Sequence, residues 1–160
     1  MAQERKKIVL WVDKVSQPAR AVIGFCRLAQ IDHELKELAM FKGEHLTEDF
    51  AKINPAKQIP VLQEIDEGSG ETFTLSESHA ILRYLADSRG VADHWYPRNL
   101  RKRAKVDQYL DSHHGALRYA VHSYNVKKHL SPVLLGKTYS EAELDVYLKL
   151  LKRSLKLMEF

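Results

Sequence analysis

Three short segments of this sequence place chemically useful groups just ahead of a helix or a strand. In Ser16-Gln17-Pro18, a hydroxyl precedes a proline suited to the first turn of a helix. Free backbone N–H groups and the helix dipole favour an anion at such a place, though an ordinary N-cap serine fits the same pattern. In Gln58-Ile59-Pro60, a proline opens an apolar run. A cis Ile59–Pro60 bond would turn the preceding N–H and C=O outward to pair with an extended peptide, whereas local sequence alone favours trans. In Ser76-Glu77-Ser78, a helix opens directly after a strand. Its N–H groups suit a carboxylate and Glu77 suits an ammonium group, while a capped helix start accounts for the same residues.

Two other candidates read as structural. Cys26 sits inside a helical pattern among apolar residues and has the character of a small core residue. It is the single cysteine, which excludes an internal disulfide, a CxxC redox pair and a cysteine-built zinc site, and suits a reducing, cytoplasmic setting. His113 and His114 are adjacent, so on a helix they face different directions and make a poor metal pair. No metal site is expected.

The elements that must position these residues follow from hydrophobic spacing. Residues 8–12 form a continuous apolar run, as in a buried strand. Ala21, Val22, Phe25, Leu28 and Ala29 then recur at helical spacing, and residues 31–38 alternate as a second strand, which implies a parallel pair. Thr47 is a candidate cap for a short helix that Asn54-Pro55 ends. Residues 61–65 and 72–75 bracket the turn-rich Asp66-Glu67-Gly68-Ser69-Gly70 and read as a hairpin. Ser76 is the expected cap of a helix carrying Ala80, Ile81, Leu82, Tyr84 and Leu85. The order β-α-β-α-β-β-α is that of a thioredoxin-like α/β domain, and it brings the three segments to connections on one edge of the sheet.

After the linker ending Trp95-Tyr96-Pro97, the signals are helical only. Val106, Tyr109, Leu110, Leu117, Ala120 and Val121 mark one long helix, broken by Pro132 and Gly136. Ser140 and Glu143 form a capping box ahead of Leu144, Tyr147, Leu148, Leu151, Leu155 and Met158. The domains expected are 6–90, thioredoxin-like, and 98–160, the start of an all-α domain.

Composition excludes several classes. No apolar run approaches the roughly 18 residues that cross a bilayer, and residues 8–12 are too few for the core of a signal peptide. The net charge of +4 conceals an asymmetry: residues 1–90 carry 12 Lys/Arg against 14 Asp/Glu, residues 91–160 carry 13 against 7. The basic excess lies on amphipathic helices with no aromatic residues interleaved, which is a solvated face and not a nucleic-acid surface.

Val15-Ser16-Gln17-Pro18-Ala19-Arg20-Ala21, Asn54-Pro55, Ile59-Pro60-Val61-Leu62 and Leu75-Ser76-Glu77-Ser78 together closely resemble the glutathione transferases. The Ser16–Ala21 segment and Trp95-Tyr96-Pro97 are similar to the theta class, and residues 91–97 to its plant members. The resemblance implies that Ser16 is catalytic, donating a hydrogen bond to the glutathione sulfur. It implies glutathione contacts at His45, Gln58, Ile59, Glu77 and Ser78, a cis Pro60, and at Asp107 an acidic residue approaching glutathione on the other subunit of a homodimer. It implies conjugation of glutathione to small electrophiles, or reduction of organic hydroperoxides, with glutathione as co-substrate and no other cofactor. A catalytically silent glutathione-binding or interaction module is the alternative, and a thiol-disulfide or dehydroascorbate reductase is disfavoured because position 16 is Ser and not Cys. Against the family's pattern the hairpin is longer by about four residues, expected as an exposed loop away from the chemistry. The family's second domain continues past the position of Phe160, so the chain is expected to be a fragment with exposed apolar surface and a tendency to aggregate.

Overall fold

The computed structural model describes residues 6–156. They fall into two compact units, divided between Tyr96 and Pro97. In the first, strand β1 (Lys6–Val12) leads through a tight turn to helix α1 (Gln17–Leu28), strand β2 (Glu34–Glu37) and two single 3₁₀ turns at Met40–Lys42 and Glu44–Leu46. Helix α2 (Glu48–Ala51), strands β3 (Val61–Asp66) and β4 (Thr72–Ser76) and helix α3 (Ser78–Ser88) complete it. The strand order is β2-β1-β3-β4, with β1 and β2 parallel and the other pairs antiparallel. This is the thioredoxin-like arrangement expected from the hydrophobic spacing.

Alternation along the strands decides what each face of the sheet meets. Ile8, Leu10 and Val12 of β1 and Leu62 of β3 pack with Ala19, Val22, Ile23 and Cys26 of α1 and with Ile81 and Leu85 of α3. On the opposite face Trp11 meets Phe50 of α2, ring centroids 6.0 Å apart, and donates its indole N–H to Gln63 at 2.7 Å. β3 also carries a charge into the α3 side: Glu64 is only 6% exposed. Its carboxylate accepts from Tyr84 Oη at 2.8 Å, pairs with Arg89, and lies 3.4 Å from Lys6 Nζ.

Local chemistry explains the other boundaries. β2 is shorter than the alternation of 31–38 suggests, because Ile31 closes the α1 end through its N–H to the Cys26 carbonyl, and the His33 ring contacts the Ile31 carbonyl. The β3–β4 turn is held by Asp66 Oδ1, which accepts from Gly68 N at 2.9 Å and Ser69 N at 2.8 Å, with Gly70 at φ 76°. That left-handed conformation suits glycine. The Asp66–Glu71 end of the hairpin lies at the far end of β3 from Pro60.

The second unit is helical. Helix α4 (Leu100–His113) is capped by Asn99 Oδ1, which accepts from Arg101 N and Lys102 N. The long helix expected here is an uninterrupted helical run of α4, α5 (Tyr119–Asn125) and α6 (Ser131–Leu135) with π turns at His114–Arg118 and Val126–Leu130 between them; Pro132, expected to break it, lies in the first turn of α6. Gly136, at φ 61°, ends the run in the left-handed conformation. Helix α7 (Glu141–Lys156) opens on the expected capping box, Glu143 N donating to Ser140 Oγ at 3.3 Å and Ser140 N to Glu143 Oε2 at 2.9 Å. Met158, assigned to its apolar stripe from sequence, lies outside the described residues. Small residues, Ala120 on α5 and Ser154 on α7, are buried where these helices approach. No helix among the described residues is long and apolar enough to cross a membrane.

Candidate functional site

Strand register gathers the candidate residues of the first unit. Trp11 of β1 pairs with Val61 of β3, and Val61 pairs with Ser76 of β4. Val12 is level with Glu37 of β2. The end of β1, the end of β2, the start of β3 and the end of β4 therefore share one edge of the sheet. From that edge issue the turn bearing Ser16, the segment bearing His45, the Gln58–Pro60 loop and the start of α3.

Ser16 occupies the N-cap of α1 and is 9% exposed. Its Oγ accepts from Ala19 N at 3.4 Å, and its carbonyl accepts from Arg20 N at 3.0 Å. Among the described residues no group accepts the Ser16 hydroxyl proton, which leaves it available to an anionic ligand beside the positive end of the helix. The turn itself is held twice over. Arg20 Nη1 donates to the carbonyls of Lys14 and Val15, both at 2.8 Å, and Asp13 Oδ1 accepts from Val15 N at 2.8 Å.

His45 lies in the second 3₁₀ turn, with Nδ1 buried and without a hydrogen-bond partner. Lys57 ties that turn to the next loop, donating to the Leu46 carbonyl at 2.9 Å and to Glu48 at 2.7 Å, and this bond holds the Glu48 carboxyl below its ordinary range. Gln58 is exposed and Ile59 half-buried; the Ile59–Pro60 bond is cis, as the family resemblance implied and the local sequence did not. Buried Asn54 holds the loop, its Nδ2 donating to the Gln58 carbonyl at 2.8 Å and its Oδ1 accepting from Ala56 N at 3.2 Å.

At α3 the structure corrects one expectation. Ser76 does not cap the helix; it ends β4, and Glu77 occupies the N-cap with φ 69° and ψ 110°, without a side-chain cap bond. A left-handed backbone at a non-glycine residue is strained, and the strain aims the start of the helix, with buried Ser78, along the sheet edge. Asp107 lies on α4, half-buried, in the second unit. Spacing gave no sign of the supporting roles of Asp13 and Lys57, since each acts through a backbone amide or carbonyl in another turn, while Asn54 acts within its own loop. Among the described residues no group of three or more His, Cys, Asp or Glu side chains is placed to hold a metal ion.

Residues 16–88 match the model of the glutathione S-transferase N-terminal domain. The chain is 42% identical over 150 residues to human glutathione S-transferase theta-1, covering 89% of this chain and 60% of the relative. Residues 16–88 thus carry an N-terminal domain of the glutathione S-transferase family, and the chain is similar to theta-class members over most of its length. Arabidopsis thaliana glutathione S-transferase T1 is 39% identical over 158 residues, covering 96% of this chain and 60% of the plant protein. The crystal structure of human theta-2 in complex with glutathione superposes with TM-score 0.84 at 32% identity, covering 95% of this chain and 60% of that one. The chain thus spans about 60% of the length of these theta-class relatives.

Proposed function

We propose that this chain binds reduced glutathione along the sheet edge and ionises its thiol for attack on a small electrophile. The observation that carries this reading is the Ser16 hydroxyl, buried at the N-cap of α1 with its proton uncommitted, on the same edge as the cis Ile59–Pro60 bond and Glu77. A free thiol with a pKa near 8.5 is mostly protonated at neutral pH, and only the thiolate is a good nucleophile. Lowering the pKa by about two units takes about 2.7 kcal/mol. A hydrogen bond to a charged acceptor contributes about 1.5–3 kcal/mol and a helix N-terminus about 0.3–1 more. One serine in this place suffices.

In this reading Ser16 donates to the thiolate. Gln58 and the backbone of Ile59 pair with the tripeptide, His45 adds its imidazole, and Glu77 with Ser78 holds the ligand's charged end. The sulfur forms a bond to the electrophilic carbon as the leaving group departs, and no covalent enzyme intermediate is involved. With an organic hydroperoxide, the thiolate takes the terminal oxygen and the alcohol leaves; a second glutathione then yields the disulfide and water. Residues 6–90 serve as the glutathione-binding domain and 98–160 as the start of the helical one. Asp107 approaches the glutathione of the other subunit in a homodimer, and the setting is the cytoplasm.

The test is retention on immobilised glutathione together with conjugate formation from alkyl halides, epoxides and activated aryl halides. Retention with turnover is the expected result; retention without turnover of any electrophile or hydroperoxide marks a silent binding module. A second expectation concerns Glu77. Glu77→Gly relieves a left-handed backbone that costs an L-residue about 1–2 kcal/mol, against an entropic cost of about 0.5–1 kcal/mol for glycine. Thermal unfolding should therefore show a melting temperature equal to or above that of the parent, while retention on glutathione resin weakens.

A further inference from the structure

Asp13 follows β1, half-buried, and all three of its oxygens are engaged. Its carbonyl accepts from Ser16 N at 3.0 Å, and Oδ1 accepts from Val15 N at 2.8 Å, closing the turn that presents the serine. Oδ2 accepts from Met40 N at 2.9 Å, 27 residues away. Met40 opens the first of the two 3₁₀ turns after β2, and the second carries His45. At the start of that stretch Leu38 N donates to the Val12 carbonyl at 2.8 Å, Lys14 Nζ pairs with Glu37 at 2.5 Å, and Ala39 N donates to Glu44 of the same segment at 2.7 Å, so Asp13 Oδ2 is the bond that reaches the 3₁₀ turn itself. An Asp that only closed its own turn would use one carboxylate oxygen.

We propose that Asp13 is a positioning residue for glutathione activation, one carboxylate fixing the Ser16 turn and the His45 segment relative to each other. This rests on the reading of Ser16 as thiolate donor. Bonds from backbone N–H groups to a carboxylate are short and strong. A displacement of about 1 Å at a reacting group costs about 100-fold in rate. Asp13 touches neither the Ser16 hydroxyl nor the ligand; it acts by holding the two loops in register.

Asp13→Asn separates this role from turn closure. The amide offers one acceptor where the carboxylate offers two; with its oxygen on Val15 N in the local turn, it presents an N–H group to Met40 N and the bond between the loops is lost. The experiment is a pH titration of thiolate absorbance with saturating glutathione in the parent chain, Ser16→Ala, Asp13→Asn and Asp13→Ala. The expected result is a thiol pKa raised by about one unit in Asp13→Asn, which from a value near 6.5 is about threefold less thiolate at neutral pH, with a larger rise in Asp13→Ala. A raised value in Ser16→Ala with a parental value in Asp13→Asn overturns the role of Asp13 and leaves that of the serine. A parental value in Ser16→Ala removes both. Should the variants fail to fold, amide exchange in the parent chain decides: glutathione should slow Val15 and Met40 together, and slowing at Val15 alone overturns the proposal.

Discussion

Ser16→Ala should raise the thiol pKa of bound glutathione by about one to two units, the equivalent of a lost hydrogen bond to a charged acceptor. Turnover at neutral pH should fall by about 3- to 25-fold, in proportion to the thiolate lost from a starting pKa near 6.5, with little change in glutathione affinity. The distinction arises because the hydroxyl meets only the sulfur, while the rest of the tripeptide is held by the Gln58–Pro60 loop and the start of α3. A control is needed, because Ser16 also caps α1. Its acceptance from Ala19 N is long, at 3.4 Å, so cap loss falls toward the lower end of the usual 0.5–2 kcal/mol. Glycine is nearly as good a cap as serine, so Ser16→Gly should lose the same activity with a melting temperature close to that of the parent. Thiolate absorbance against pH is the decisive measurement, and an unchanged thiol pKa overturns the role assigned to the serine.

Glu64→Ala should destabilise the first unit by about 2–4 kcal/mol at neutral pH, since removing one member of a buried ionic group leaves its partners uncompensated. Partial solvent access to Lys6 and Arg89 places the effect toward the lower value. Burial by itself would push the Glu64 carboxyl up, but the Tyr84 hydroxyl, Arg89 and Lys6 outweigh it and hold it below the ordinary range. The sign follows: a group whose folded-state pKa is depressed contributes stability above its unfolded value, about 4.3 for Glu, and loses it as pH falls through the folded value. Glu64→Leu, which fills the site without charge, should therefore lose less stability than the parent between neutral and acid pH. Urea unfolding at both pH values, with m unchanged, checks this, and parallel pH profiles for the two proteins would exclude the role.

These expectations fall on residues of different legibility. The apolar run of β1, the spacing of α1 and the capping box of α7 dictate their elements directly, because local periodicity and caps are short-range physics. Glu64 defeats the same logic. A glutamate in the middle of a strand reads as solvent-facing, and only the approach of Tyr84 and Arg89 from α3 makes its burial tolerable. Glu77 has no sequence mark at all, since its left-handed backbone is imposed by the path from β4 into α3. Likewise Asp13 reads as a turn former, while its second oxygen serves an amide 27 residues away. The π turns between α4 and α6 escape notice because one added residue per turn barely disturbs helical spacing. The cis bond before Pro60 came from family resemblance, as local preference pointed the other way.

The environment of Cys26 has a practical consequence. This sole cysteine is fully buried between α1 and the sheet, and burial pushes its thiol up to about 11. In the folded state it is neither exposed nor ionised, so in a mixture with glutathione the peptide supplies the reactive sulfur. Absorbance changes attributed to thiolate are then free of interference from a thiol of the polypeptide. The same seclusion turns Cys26 into an internal clock. A thiol-specific reagent reaches it only when the first unit opens, and its labelling rate counts those openings one molecule at a time.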